Sequence, residues 1–246
     1  MRSLLYERSP ADASAAYYAF HHPDDRTQLF TLTDPAGVAA GYLCLSRTGM
    51  DLFRPLLTIR LPLSAVGDGP DPHSALALIY TALPAGSDVI VSAPQAYHPI
   101  ISALFEIQSE QELHLMALDR TRFKPVINVL VTESETYNSL PRFVARTNAG
   151  SETHESHEIA ASAGLNWRSP EFAEIYVHTK AAHRRRGFGR SVVAAVVQNT
   201  LESGRTPLYA VGAGNEASIQ LAESVGFVST GLVNTLFEAT LKPRPF

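Results

Sequence analysis

With a single cysteine, Cys44, in 246 residues, the chain can form no internal disulfide, and its stability must come from packing. Cys44 lies in the apolar run Gly41-Tyr42-Leu43-Cys44-Leu45, which reads as a buried strand rather than the setting of a nucleophile. There is no stretch of the roughly 18 apolar residues needed to cross a bilayer. The opening Met1-Arg2-Ser3-Leu4-Leu5-Tyr6-Glu7 lacks an apolar core of signal length, so a cytoplasmic protein with no membrane partner is expected. A basic surplus is also missing: 20 Lys and Arg face 24 Asp and Glu, for a net charge of -4. That balance argues against a protein whose main partner is a nucleic-acid backbone. His154 and His157 stand three apart, but no Cys, Asp or further His falls at ligand spacing around them, so no metal is expected. The polar stretch 147–157 that holds them reads as a solvated hairpin tip. Neither G-x-G-x-x-G nor Gly-Lys-Ser/Thr occurs, which removes the usual dinucleotide and nucleoside-triphosphate loops.

What remains is an ordinary globular composition, 45% hydrophobic and 18% charged. The clearest periodicity runs from Ser191 to Ser203, where Val193, Val197 and Leu201 recur at four-residue spacing beside Val192 and Val196. Gly204 stands where a left-handed cap is expected, and Pro207 stops the helix. A strand follows at Leu208 to Val211, then a glycine turn. Asn215 caps a second helix that runs to Val225 and ends at Gly226. Upstream, Arg142–Arg146, Glu158–Trp167 and Phe172–His178 read as strands, and Gly231–Leu241 as a final hairpin or bent strand.

The first half repeats this order more faintly. Leu29–Leu32, Val38–Ser46 and Leu56–Leu61 are strand-like, and His73–Leu83 is helical. Asp88–Ser92 is a strand, Tyr97–Ile107 a helix with Pro99 in its first turn, and Leu113–Leu118 a strand. In each half a glycine, Gly86 or Gly204, precedes a strand, a turn and a helix at nearly equal spacing. This predicts two copies of one α/β (α+β) unit, residues 1–125 and 126–246, with the boundary between Asp119 and Asn138. Chance similarity of spacing is the alternative.

The stretch richest in chemistry is His183-Arg184-Arg185-Arg186-Gly187-Phe188-Gly189-Arg190, placed between a strand and a helix. A helix N-terminus offers unpaired N–H groups and partial positive charge, and so attracts anions. Gly187 and Gly189 let the backbone approach a phosphate, and the arginines add charge and paired donors. Taken alone, three arginines also suit a solvated basic face or a nucleic-acid contact.

The segment resembles the GCN5-related N-acetyltransferases, whose [Q/R]-x-x-G-x-[G/A] motif is matched by Arg184-x-x-Gly187-x-Gly189. The similarity extends over Glu174-Ile175-Tyr176-Val177-His178-Thr179, through Asn215-x-x-Ser218, to Val225-Gly226-Phe227, so it covers residues 140–240. It implies tandem mixed sheets flanked by helices, with a degenerate copy first and an acetyl-coenzyme A site in the second. On this resemblance the backbone at Val177, His178 and Thr179 holds the pantetheine arm. The loop Arg184, Arg185, Arg186, Gly187, Phe188 and Gly189, with Arg190, cradles the pyrophosphate. Asn215 and Ser218 lie near the thiol end, although Asn215 would also serve simply as a helix cap.

Acetyl transfer needs a neutral amine, a polarised thioester carbonyl and a route for the thiolate to leave. Glu174 is the candidate base. It shares a strand face with Tyr176 and His178, while Ile175 and Val177 take the other face; an ion pair is its alternative role. The family's usual acid is a tyrosine in the second helix, but the chain reads Leu221-Ala222-Glu223 there. Tyr209 and Tyr176 are possible substitutes, and no acid is assigned. At the matching place the first half reads Ser64-Ala65-Val66-Gly67-Asp68-Gly69, with Asp71 nearby and no arginine, which disfavours a phosphate. The sequence therefore predicts acetyl-coenzyme A-dependent transfer to a small-molecule or peptide amine. A non-catalytic acyl-coenzyme A sensor is the alternative.

Overall fold

In a computed structural model of the chain, the described residues are 4–49, 51–64, 69–134, 140–147 and 158–245. Two of the stretches read from sequence, Ala65–Asp68 and residues 148–157 with His154 and His157, lie outside them. The chain divides into two units, Met1–Leu113 with Val233–Phe246, and His114–Leu232. This differs from a single cut at 125/126. The divisions fall inside two long strands, β5 (Phe105–Leu118) and β11 (Phe227–Leu241), so each unit draws on both halves of the sequence.

Unit 1 begins with α1 (Ala13–Phe20), then β1 (Thr27–Thr33), β2 (Ala39–Ser46) and β3 (Leu56–Arg60). It continues through α2 (Pro72–Ala82), β4 (Asp88–Pro94) and α3 (His98–Leu104) into β5. The strands lie in the order β1-β2-β3-β4-β11, with β3 and β4 parallel. β4 pairs antiparallel with Asn234–Thr240 of β11. One face is apolar: Leu43, Leu57, Ile59, Val91 and Phe237 pack with Leu78 and Ile79 of α2 and Ile101 of α3. Cys44 is buried in β2 and donates its thiol to the carbonyl of Tyr18 at 3.5 Å.

Unit 2 holds β6 (Val131–Ser134), β7 (Arg142–Arg146), β8 (Ile159–Arg168), β9 (Phe172–Thr179), α4 (Phe188–Glu202), β10 (Thr206–Gly212) and α5 (Glu216–Val225). Its strands lie in the order β5-β10-β9-β8-β7-β6, with the first residues of β11 beside β5. The valine stripe seen in sequence is the inner face of α4: Val192, Val193, Val196 and Val197 are all buried against Ala161, Ile175 and Tyr209. α4 ends as its sequence predicts. Gly204 is left-handed at φ 80, its N–H reaches Leu201, and that of Arg205 reaches Thr200, which satisfies carbonyls the helix leaves open. Gly226 ends α5 at φ 118, and a Cβ there would stand 2.9 Å from the Phe123 nitrogen, so conformation and space both demand glycine.

From β1 in the first half and from β7 in the second, the chain follows the order strand, strand, strand, helix, strand, helix, strand, with α1 and β6 standing before it, which makes the architecture a tandem α+β fold. One local expectation is corrected. The helix expected over Tyr97–Ile107 stops at Leu104, because Phe105 turns to extended backbone (φ -117, ψ 150) and Glu106-Ile107-Gln108 joins a strand. That polar stretch has no apolar helical stripe to bury, whereas as a strand it bonds to β11, with Gln108 Nε2 donating to Thr240 Oγ1 at 2.6 Å. Of the hairpin and the bent strand expected at the end of the chain, the structure has the strand, 15 residues long with left-handed Gly231 (φ 74) within it. α1 and β6 carry no sequence signal that had marked them.

Candidate functional site

β9 and β10 run parallel through only three pairs, Phe172↔Thr206, Ala173↔Pro207 and Leu208↔Glu174. β9 then continues to Thr179 and β10 to Gly212 without further pairing. From Ile175 onward β9 therefore keeps β8 on one edge and has lost its partner on the other. Backbone N–H and C=O groups on a lost edge must find other partners or water. At about 3.3 Å per residue, the five residues beyond Glu174, Ile175 to Thr179, make this split on the order of 16 Å long.

The mouth of the split is built by Thr179 and the start of α4. A Cβ on Gly189 would lie 2.8 Å from Thr179 Oγ1 and 3.4 Å from Leu221 of α5, so glycine lets β9, α4 and α5 meet. Gly187, at φ 82, occupies the N-cap of α4 and provides no side-chain acceptor for the helix N–H groups. Two residues earlier, Arg185 is left-handed at φ 59, a conformation that costs a non-glycine residue about 1 kcal/mol or more. Arg184, Arg185 and Arg186 are exposed, and Arg190 is half-buried. Arg184 Nε donates to the Thr179 carbonyl at 3.3 Å, and the Arg186 guanidinium sits 5.6 Å over the Phe188 ring. Before the loop, Glu158 takes Lys180 at 2.6 Å and His183 at 3.3 Å, and these hydrogen bonds hold its carboxyl below its ordinary range. Val177 packs against the unit 2 core while His178 is exposed.

The apex of the split carries Glu174. Ile175 and Val177 face the core of α4 and α5, which puts Glu174, Tyr176 and His178 on the opposite face, as alternation predicts. The Glu174 carboxylate accepts Asn166 Nδ2 at 2.7 Å and is also hydrogen-bonded by the Trp167 side chain. It keeps some surface open to solvent. Protein still encloses it enough for burial to push its pKa above the usual carboxylate range, against the opposing pull of the two donors. Tyr176 lies across Gly164, where a Cβ would meet its hydroxyl at 2.9 Å.

On the other face, Tyr209 is the first residue of β10 beyond the last pair. Its hydroxyl lies 2.7 Å from Ser218 Oγ, and burial raises its pKa while that bond opposes the rise. Asn215 caps α5, its Oδ1 accepting the Ser218 N–H at 3.2 Å. Of Leu221-Ala222-Glu223, the stretch where the resemblance leads one to look for a tyrosine, Ala222 is fully buried in the core. Glu174 and Tyr209 thus flank one apex, while the arginine loop sits at the far end of the split. Sequence reasoning missed Asn166 and Trp167, because only the register of β8 against β9 brings them to Glu174. Among the described residues, no three His, Cys, Asp or Glu side chains group to hold a metal, and no helix is long and apolar enough to cross a membrane.

A family model described as GNAT acetyltransferase matches residues 102–233, more than half of the chain. No curated protein matches the sequence. Among solved structures, a Drosophila protein aligns over 98% of this chain and 90% of its own, with TM-score 0.66 and 13% identity. A GCN5-related N-acetyltransferase from Kribbella flavida aligns over 92% and 95%, with TM-score 0.62 and 13% identity. A tandem GNAT protein from the clavulanic acid biosynthesis pathway aligns over 95% and 88%, with TM-score 0.57 and 14% identity. At these identities the likeness is one of fold.

Proposed function

The chain belongs to the GNAT acetyltransferase family, and from that premise we propose that it is an N-acetyltransferase with one acetyl-coenzyme A site per chain, in unit 2. The observation that carries the reading is the split between β9 and β10, which opens beside an α4 N-terminus with no side-chain cap. An extended amide-bearing arm suits the unpaired edge of β9 at Val177, His178 and Thr179, as an added strand would. A pyrophosphate suits the α4 start, with Gly187, Phe188 and Gly189 presenting backbone N–H groups and Arg184, Arg185, Arg186 and Arg190 supplying charge. Acetyl-coenzyme A supplies an acetyl group as a thioester. With the phosphates at the mouth, that thioester reaches the apex, where Glu174 and Tyr209 stand.

The acceptor is a primary amine of a small molecule, peptide or protein. The Glu174 carboxylate, its proton affinity raised by burial, takes a proton from the ammonium form directly or through water. The neutral amine then forms its bond to the thioester carbon while the carbon–sulfur bond breaks. The thiolate leaves with the electron pair of that bond and is protonated by solvent, while the new amide nitrogen gives up its surplus proton to water. Asn215 and Ser218 would line the thiol end of the site. Unit 1 is proposed to be a degenerate copy without cofactor.

A second reading, an acyl-coenzyme A sensor without turnover, is favoured by the lack of any tyrosine from Glu216 to Phe227, where the resemblance places the family's usual acid. Two measurements decide. Acetyl-coenzyme A at a hundredfold excess over Kd should stabilise the protein by about 2.7 kcal/mol, raising Tm by on the order of 5–10 °C. Arg184→Glu with Arg186→Glu should abolish that rise; an undiminished rise would sink the proposed site. Thiol release with a panel of amines then separates enzyme from sensor, and Glu174→Gln should slow it by about a hundredfold or more.

A further inference from the structure

β8 and β9 pair regularly from Ala161↔Thr179 to Leu165↔Ile175, after which the register jumps so that Trp167, not Asn166, stands opposite Glu174. Asn166 is the extra residue of a bulge. In a regular strand, neighbouring side chains point to opposite faces, so Asn166 and Trp167 could not both reach one carboxylate. Bulges re-aim side chains in this way and concentrate beside active sites. Here both residues bond to Glu174, Asn166 through Nδ2 at 2.7 Å and Trp167 through its side chain.

We infer that Asn166 and Trp167 are positioning residues for Glu174, brought together by the bulge to hold its carboxylate in one orientation at the apex of the strand split. The inference rests on the reading of Glu174 as the base. Indole and amide N–H groups are neutral donors. They restrain a carboxylate without forming an ion pair, and so leave it able to take up a proton. A lysine or arginine in their place would hold the carboxylate ionised and weaken it as a base. The two donors differ in setting: Trp167 is buried, whereas Asn166 is exposed at the bulge. Among the described residues, the other titratable groups on this face are Tyr176 and His178 of β9 and, two strands away, Arg142 of β7. β10 contributes Leu208 and Ala210, which do not titrate.

The test is a 13C NMR titration of protein labelled at the glutamate carboxyl carbons, with Glu174 assigned by its loss in Glu174→Gln. Removing a donor to the ionised form should raise the midpoint. Trp167→Phe, which keeps a buried ring, should raise it by about one pH unit, and the exposed Asn166→Ala by about half a unit. On the same samples, the acid limb of thiol release from acetyl-coenzyme A should move up in step. A midpoint unmoved in both variants overturns the inference, and so does a moved midpoint with an unmoved acid limb. Wild-type protein that binds acetyl-coenzyme A but releases no thiol at any pH overturns the acetyltransferase reading and the catalytic part of this inference, a result separate from the titration itself.

Discussion

Units 1 and 2 contain the same split and treat it in opposite ways. In unit 1, β3 and β4 keep three parallel pairs, Leu56↔Ile90, Leu57↔Val91 and Thr58↔Ser92, and then part. In unit 2, β9 and β10 do the same. Aligned on the last pair, Thr58 stands where unit 2 has Glu174, and Leu61 where it has Val177. The Leu61 N–H, however, donates to the hydroxyl of buried Tyr97 at 3.0 Å, so unit 1 fills its lost edge with its own side chain. The helix that follows is also occupied. Asp71 caps α2, its carboxylate accepting the Ser74 N–H at 2.8 Å and the Ser74 hydroxyl at 2.6 Å. An anion of the chain thus already sits where α4 in unit 2 offers bare N–H groups behind Gly187. One backbone plan yields a closed copy or an open one, depending on whether its unpaired groups are satisfied from within.

The strongest way to break this comparison is to separate the copies. If they were consecutive domains, a fragment of residues 126–246 would fold alone. Unit 2, however, buries Met116 and Leu118, which that fragment lacks, while Phe237 and Leu241 belong to the unit 1 core it leaves behind. Burial is worth about 1.5–3 kcal/mol per large side chain, so these four amount to about 6–12 kcal/mol, comparable with the whole stability of a domain. The fragment should show no cooperative melt by far-ultraviolet circular dichroism. A sharp transition near that of the intact chain would restore the simple tandem picture.

The division of the units inside β5 and β11 marks where the sequence becomes opaque. Periodicity and caps are local, so α4, its Gly204 end, the Asn215 cap and the loop before α4 could be read directly. The repeated order of elements could be read as well, because Gly86 and Gly204 punctuate it. Strand pairing is not local. Nothing in Glu106 to Gln111 announces that it bonds to β11, and nothing around Trp167 announces a bulge. Glu174 could be proposed from its place on a strand, but its two donors and its raised proton affinity arise only from register and enclosure. Tyr97 looked like the start of a helix. Its hydroxyl matters because the fold delivers it to Leu61, about 36 residues away in sequence.

A smaller change sharpens the contrast at that hydroxyl. Tyr97→Phe keeps the ring and removes the acceptor, leaving the Leu61 N–H buried without a partner. The cost should be about 1–3 kcal/mol, read as a lower denaturant midpoint at constant m-value. Acetyl-coenzyme A stoichiometry should stay at one per chain, because Asp71 still covers the start of α2. A second bound equivalent in calorimetry would show that unit 1 is a closed site rather than a lost one.

The smallest effect is expected at Asp71 itself. Losing this cap through Asp71→Ala should cost about 1 kcal/mol. The hydrogen bonds from Ser74, side chain first, hold the Asp71 carboxyl below its ordinary value. The native state therefore binds this proton less tightly than the unfolded chain. The contribution of Asp71 is fully present above the unfolded pKa and is lost as pH falls through the folded one. Wild type and Asp71→Ala should accordingly differ most near neutral pH and converge in acid, in paired chemical denaturation curves from pH 7 to pH 3. A constant gap at every pH would mean that the carboxylate charge plays no part in holding α2. The closed state of unit 1 would then rest on Tyr97 alone, and the anion at its helix start would no longer distinguish the two copies.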